Sequence, residues 1–125
     1  GPMSEKMLVI DDAPVIRAFL QKVLSDMGFE VDVAENGRDG YEMAKQHDYA
    51  IIFCDVHMPV LNGLQTVIAI KKLKLESRIV MTESFPDRQA EKAARAGAFC
   101  CLTKPFDLEE LKSIVANALK VKAIR

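Results

Sequence analysis

The chain lacks any apolar run near the roughly 18 residues that a membrane span needs, and it carries little net charge. Its 17 basic and 18 acidic residues leave a formal net charge of −1. No excess of positive charge therefore favours nucleic acid as a partner. We expect no direct binding to nucleic acid and no association with a membrane. Because the sequence shows no signal peptide, we expect a cytoplasmic location.

Cysteine is also scarce, and the three cysteines are Cys54, Cys100 and Cys101. An odd number, each within an apolar run, favours free buried thiols in a reducing compartment over a disulfide framework. The adjacent pair lacks the spread-out ligands of a metal site. We therefore predict three free, buried thiols that form neither a disulfide nor a metal site.

The 125 residues, half of them hydrophobic, suit one domain with a sizeable core. We assign that domain to residues 3–125, because Gly1 and Pro2 before Met3 resemble an expression scar. No linker, repeat or low-complexity tract divides the chain.

Short apolar runs alternate with segments of helical periodicity. The predicted strands cover residues 6–10, 29–34, 50–54, 78–81 and 98–102. Four helices are predicted over 15–27, 37–46, 64–73 and 86–96, and a fifth begins at Asp107 with the core stripe Leu108, Leu111, Ile114, Val115, Ala118 and Leu119. This alternation predicts an α/β fold, a parallel sheet with helices on both faces. All strands of such a sheet end at the same edge, where ligands bind.

Chemically useful side chains follow four of the five strands. Asp11 and Asp12 follow the first, Asp55 the third, Thr82 the fourth and Lys104 the fifth. Three neighbouring carboxylates need a counter-ion, and an all-oxygen site favours Mg²⁺, with Mn²⁺ as the substitute. Lys104 and Thr82 would then bind phosphoryl oxygens, with Asp55 as the nucleophile.

Each of these residues alone has a simpler interpretation. A single Asp, Thr or Lys-Pro after a strand is usually a turn or a helix cap. Their joint occurrence, each at the correct strand end, is what favours a phosphoryl site.

The motifs VIDD at 9–12, DVHMPVLNG at 55–63, Thr82 and KPF at 104–106 resemble the receiver domain of two-component response regulators, of the chemotaxis-regulator kind. The resemblance covers the chain from Met3 onwards. It implies a flavodoxin-like, doubly wound fold with five helices and a five-stranded parallel sheet in the order 2-1-3-4-5. It also implies a cis Lys104–Pro105 bond.

The resemblance further implies roles for single residues. Asp55 would accept a phosphoryl group from a sensor histidine kinase or a phosphotransfer protein. Asp12, Asp55 and the backbone carbonyl of His57 would bind Mg²⁺ directly, and Asp11 through water. Thr82 and Lys104 would contact the phosphoryl group. The domain would act on a downstream effector as a switch, not as an enzyme beyond slow self-phosphorylation and self-dephosphorylation, and whether it forms a homodimer stays open.

Three positions depart from the family pattern. Cys101 stands where receivers often have Tyr or Phe, and strand alternation predicts Phe99 on the same face. Glu83 replaces the small residue usual after Thr82, and we expect its charge to slow phosphorylation by small donors. The His57 side chain is either a solvated loop group or a contact for the water that removes the phosphoryl group.

Other functions are weighed against this one. A phosphohydrolase of the haloacid dehalogenase type needs an acid two residues after its nucleophile, where this chain has His57. A flavodoxin-like cofactor binder needs a phosphate loop after the first strand, where Asp11 and Asp12 would repel the anion. A degenerate receiver that acts as a binding module without phosphorylation remains the third alternative.

Overall fold

The computed structural model describes residues 5–58, 61–73, 75–84, 92 and 94–124. Within these ranges five parallel strands form one sheet in the order β2-β1-β3-β4-β5. The strands are β1 (Lys6–Ile10), β2 (Glu30–Ala34), β3 (Ile51–Asp55), β4 (Arg78–Glu83) and β5 (Cys100–Thr103). The predicted sheet and strand order are confirmed.

Four helices are described: α1 (Pro14–Asp26), α2 (Gly37–Gln46), α3 (Gly63–Lys71) and α4 (Leu108–Ile124). Five were predicted. Most of the helix predicted over 86–96 lies outside the described residues. Within that range Lys92, Ala94 and Arg95 are described and helical. No helix within the described parts of the chain is long and apolar enough to span a bilayer.

Local sequence explains where the helices begin and end. Pro14 occupies the first turn of α1, where no N–H is needed. Gly28 ends that helix with φ 99°, a conformation that glycine adopts without strain. The Asn36 side chain accepts a hydrogen bond from the Asp39 amide and caps α2. Asn62 and Gln65 form a reciprocal capping box at α3.

The core forms one apolar layer on each face of the sheet. β1 and β3 contribute alternate side chains to both layers, so Leu8 and Ile52 pack on one face while Val9 and Phe53 pack on the other. Strands covered on both faces need continuous apolar sequence, which these two have. The sheet is therefore a rigid support for the groups at its carboxyl edge.

Some residues assigned to the core from periodicity are exposed. Leu108 begins the predicted stripe of the last helix but is 42% exposed, while Leu111, Val115 and Ala118 are buried. Val15 and Phe19 of α1 are 77% and 40% exposed. Helical spacing gives a side chain's angle around the helix. It does not tell how far along the helix the sheet extends.

The prediction that Phe99 and Cys101 share a face is wrong. Phe99 packs in the layer with Val80 and Leu102, whereas Cys101 packs in the opposite layer. β5 begins only at Cys100, so the alternation of a strand does not extend back to Phe99. A substitute role for Phe99 at the Cys101 position is therefore not supported.

Candidate functional site

Three carboxylates come together at the carboxyl edge of the sheet. One oxygen from each of Asp11, Asp12 and Asp55 lies within 4.8 Å of the others. Asp11 and Asp55 are buried, and Asp12 is exposed. The sheet brings them together because β1 and β3 are adjacent and in register, Ile10 opposite Cys54.

Within the described residues Asp11 takes part in four hydrogen bonds, with partners at the start of α1, on β2 and just after β5. Its carboxylate accepts from the Ala13 amide at 2.9 Å, and its backbone carbonyl accepts from Arg17 Nη1 at 2.8 Å. Its own amide donates to the Ala34 carbonyl at 3.1 Å. The second carboxylate oxygen accepts from Lys104 Nζ at 2.9 Å. Asp11 is thus fixed while Asp12 faces solvent.

Lys104 connects the two buried carboxylates. Its Nζ lies 2.9 Å from Asp11 Oδ2 and 3.4 Å from Asp55 Oδ1. The ammonium comes from the end of β5, and the Lys104–Pro105 bond is cis, as the resemblance implied. One cation does not neutralise three carboxylates, so the site keeps a net negative charge and attracts a further cation.

The pKa of Asp55 is raised by the surroundings of its carboxylate. Burial, followed by the charge of Asp11, raises the pKa of Asp55 from 3.8 to about 6, although Lys104 and the His57 amide act in the opposite direction. The His57 amide donates to Asp55 Oδ1 at 3.3 Å. With this pKa, Asp55 loses its proton just below neutral pH. The buried carboxylate is less solvated than an exposed one and is therefore a more reactive nucleophile.

Thr82 lies directly beside Asp55 on the neighbouring strand. The β3–β4 register pairs the two residues, and Thr82 is 1% exposed. Its carbonyl accepts from the Val56 amide at 2.8 Å. The strand prediction for 78–81 was two residues short, because β4 extends through Thr82 to Glu83. Both Asp55 and Thr82 are thus strand residues rather than loop residues.

Gly63 also belongs to the region of the site, although the sequence indicates only a turn at Asn62-Gly63. A Cβ on Gly63 would lie 2.4 Å from the backbone oxygen of Asp55 and 2.6 Å from Val56 Cα. Its amide donates to the Val56 carbonyl at 3.0 Å. Only glycine permits α3 to begin so close to the end of β3. The Asn62-Gly63 pair was the signal that could have indicated this close approach.

The donor set fits Mg²⁺. Asp11 and Asp12, directly after β1, and Asp55, at the end of β3, supply hard oxygen ligands. Exposed Asp12 leaves one side of the group open to water. Magnesium prefers few carboxylates and several waters. The position of the His57 carbonyl as a further ligand stays a prediction, and the His57 side chain is exposed.

An apolar depression of about 230 Å³ borders this site. We call it the α1 patch, and its lining residues are Val15, Ile16, Phe19, Pro105 and Phe106. The Phe19 and Phe106 rings stack at 6.0 Å between centroids. The α1 patch could not be predicted from the sequence, because Val15 and Phe19 have the helical spacing of buried core residues.

The raised pKa of Asp55 predicts a pH dependence of stability in the metal-free protein. A raised carboxyl pKa means that the folded state binds more protons than the unfolded state between about pH 4 and pH 6, so the free energy of unfolding falls as pH rises through that window. The step from 3.8 to about 6 corresponds to roughly 2 to 3 kcal/mol. We therefore expect Asp55→Asn to stabilise the protein by about that amount at pH 7 and hardly at all at pH 4.

Urea unfolding of both proteins in a chelator at the two pH values measures this effect. Asp26→Asn is the control, since Asp26 is an exposed helix residue paired with Lys22. Equal stabilities of Asp55→Asn and the parent at pH 7 would contradict the prediction.

Comparison with known proteins agrees with this geometry. The family model described as the response regulator receiver domain matches residues 7–116. The chemotaxis protein CheY of Halobacterium salinarum is 30% identical over 118 residues, with 94% of this chain and 98% of that protein covered. The probable transcriptional regulator ycf29 of Pyropia yezoensis is 32% identical over 120 residues, which cover 94% of this chain.

This chain spans only 54% of the length of that ycf29 protein. Among solved structures, the chemotaxis protein CheY4 of Vibrio cholerae superposes with a TM-score of 0.86 at 28% identity, covering 93% of this chain and 99% of that one.

Proposed function

Since the chain belongs to the response regulator receiver domain family of two-component signalling, we propose that it takes a phosphoryl group onto Asp55 and thereby switches a binding surface. The observation that carries the proposal is the convergence of Asp11, Asp12, Asp55 and Lys104 on one edge of the sheet. The family consists of signalling domains, so the phosphohydrolase alternative is not favoured.

In the proposed reaction an oxygen of the ionised Asp55 attacks phosphorus of a phosphohistidine. A P–O bond forms as the P–N bond to the donor breaks, and the leaving imidazole nitrogen keeps the electron pair and takes up a proton from water. With a pKa of about 6, Asp55 is mostly ionised at neutral pH and is a competent nucleophile.

The other side chains hold the transferred group. Lys104 Nζ, already 3.4 Å from Asp55 Oδ1, pairs with one phosphoryl oxygen, and the Thr82 hydroxyl donates to another. Asp12, Asp55 and the His57 carbonyl would hold Mg²⁺ directly and Asp11 through water, and the bound ion would neutralise charge on the phosphoryl oxygens. These roles follow the assignments made from the resemblance.

Incubation with acetyl phosphate and Mg²⁺, followed by intact-mass measurement, tests the proposal. We expect the mass of one added phosphoryl group per chain, and none when the metal is chelated. No gain of mass with either acetyl phosphate or phosphoramidate would refute phosphoacceptor function and favour a binding module that works without phosphorylation.

We further propose that the protein donor, a sensor histidine kinase or a phosphotransfer protein, docks on the α1 patch. Any donor histidine that reaches Asp55 must bring its own surface against the residues around the site. Pro105 follows Lys104, and Val15 lies three residues after Asp12, so the patch is the apolar surface adjoining those residues. Val15 is 77% exposed and therefore accessible to a partner.

Val15→Glu should reduce phosphotransfer from a purified histidine kinase by about tenfold, because burying a new charge at an interface is costly. The rate with acetyl phosphate should stay unchanged, since a small donor makes no such interface. Ile68→Glu, at a 40% exposed position of α3 outside the patch, is the control. An equal effect of both substitutions on the kinase reaction would argue against the patch.

The surface that would bind the downstream effector lies partly outside the described residues. The resemblance to receiver domains implies an effector surface formed by the helix predicted over 86–96, the fifth strand and the last helix, around Phe85, Phe99 and Cys101. Phe85 lies outside the described residues, and Phe99 and Cys101 are partly buried. The effector surface and a homodimer therefore stay predictions.

A further inference from the structure

Glu83 is a buried carboxylate at the end of β4, next to Thr82, and is only 4% exposed. On β5, Cys101 donates its thiol hydrogen to Glu83 Oε1, with 3.3 Å between sulfur and oxygen. The second oxygen, Oε2, is buried and has no hydrogen-bond partner within the described residues. Such a group costs folding free energy, so its presence calls for an explanation.

The thiol is suited to be the donor of this hydrogen bond. Burial, followed by the hydrogen bond to Glu83 and the charge of that residue, raises the pKa of Cys101 to about 12. The thiol therefore stays protonated and unreactive at neutral pH. A hydrogen bond to a charged acceptor is also stronger than one between neutral groups.

The same two strands carry the groups that bind the phosphoryl oxygens. The Lys104 amide donates to the Glu83 carbonyl at 2.6 Å, and the Val56 amide donates to the Thr82 carbonyl at 2.8 Å. Glu83 is thus tied to β5 twice, by its side chain to Cys101 and by its backbone to Lys104. A shift of Glu83 would move both Thr82 and Lys104 relative to Asp55.

We propose that Glu83 and Cys101 are a positioning pair that holds Thr82 and Lys104 in place for transfer of the phosphoryl group to Asp55. This inference rests on the proposed function of Asp55. The pair adds a side-chain hydrogen bond to the backbone pairing of β4 and β5. It acts through Thr82 and Lys104 without touching the phosphoryl group.

This assignment differs from the repulsive role expected for Glu83 from sequence. Strand alternation places the Glu83 side chain on the face of Met81 and Cys101, opposite to Thr82. The charges that shift the pKa of Asp55 are those of Asp11 and Lys104. The structure therefore directs Glu83 toward β5 rather than toward an incoming donor.

Variants of Cys101 test the positioning role, with phosphorylation followed at saturating acetyl phosphate and Mg²⁺. Cys101→Ala should lower the maximal rate by about 3- to 10-fold and leave the Mg²⁺ concentration for half-maximal rate unchanged, because the carboxylates are intact. Cys101→Ser keeps a donor and should restore most of the rate. Cys100→Ala is the matched control, since Cys100 packs on the opposite side of the sheet.

Variants of Glu83 separate positioning from repulsion. Glu83→Gln keeps the acceptor oxygen and should react near the parent rate, whereas Glu83→Ala should be slowed like Cys101→Ala. Faster reaction of either Glu83 variant would restore the repulsive interpretation and overturn the proposal.

Alkylation of Cys101 by iodoacetamide gives a readout that does not depend on phosphorylation. Without the Glu83 charge the thiol ionises more readily, so Glu83→Ala should speed alkylation of Cys101 several-fold relative to Cys100. Faster alkylation combined with an unchanged Cys101→Ala phosphorylation rate would confirm the contact and refute its positioning role. A parent protein that accepts no phosphoryl group would instead refute the proposed function, and the positioning role would fall with it.

Discussion

The Asp55→Asn variant should accept no phosphoryl group from acetyl phosphate or from a histidine kinase. The amide that replaces the carboxylate is a far weaker nucleophile, and nothing else in the geometry needs to change, because Asn has nearly the same shape as Asp. Of the three clustered carboxylates, Asp55 is the one on β3 beside Thr82, and it lies 3.4 Å from Lys104. We expect at least a 1000-fold loss of rate, the usual result of removing a nucleophile.

Intact-mass measurement reports the loss directly, and Asp26→Asn should behave like the parent. Beryllofluoride with Mg²⁺ gives a second readout, because this phosphoryl mimic should shift the amide signals of β5 in the parent but not in Asp55→Asn. An Asp55→Asn protein that still gains one phosphoryl group would place the acceptor elsewhere and remove the basis of the proposed function.

Replacing Lys104 by Met should lower the rate of phosphorylation roughly 100-fold, which is typical for the loss of one preorganised donor to developing charge. Met keeps the length of the side chain and removes the ammonium. The buried carboxylates Asp11 and Asp55 also lose their shared cation. We therefore expect the free energy of unfolding at pH 7 to fall by about 2 to 3 kcal/mol in the absence of Mg²⁺.

Two comparisons distinguish this effect from general damage. Lys22→Met, at an exposed position on α1, should change neither rate nor stability. In the Asp55→Asn background Lys104→Met should cost less stability, because one of the two charges that it offsets is already gone. A Lys104→Met protein that phosphorylates at the parent rate would show that the ammonium is dispensable.

Much of the site could be predicted because its residues stand at the ends of strands that are legible in the sequence. The continuous apolar runs before Asp11 and Asp55 mark buried parallel strands, and the carboxyl ends of such strands share one edge. That rule alone predicts a common region for Asp11, Asp12, Asp55, Thr82 and Lys104. The strand order came from the family resemblance and is confirmed.

The predictions of burial that were wrong, and the contacts that were not predicted, depend on distances between elements that lie far apart in the chain. Leu108, Val15 and Phe19 have the spacing of core residues, but they are 42%, 77% and 40% exposed. The Gly63 contact with the Asp55 backbone depends on how closely α3 approaches β3. No pattern of residue types states such a distance.

Residue types and their spacing predicted the α/β fold class, the edge at which the charged groups meet, and the chemistry those groups can perform. Three features depend on how the chain folds: Lys104 bridges Asp11 and Asp55, burial raises the pKa of Asp55 to about 6, and Glu83 turns to Cys101. Periodicity and residue type are local properties, and each residue carries them with it. Desolvation and charge interaction depend on what a group meets once the chain has closed around it.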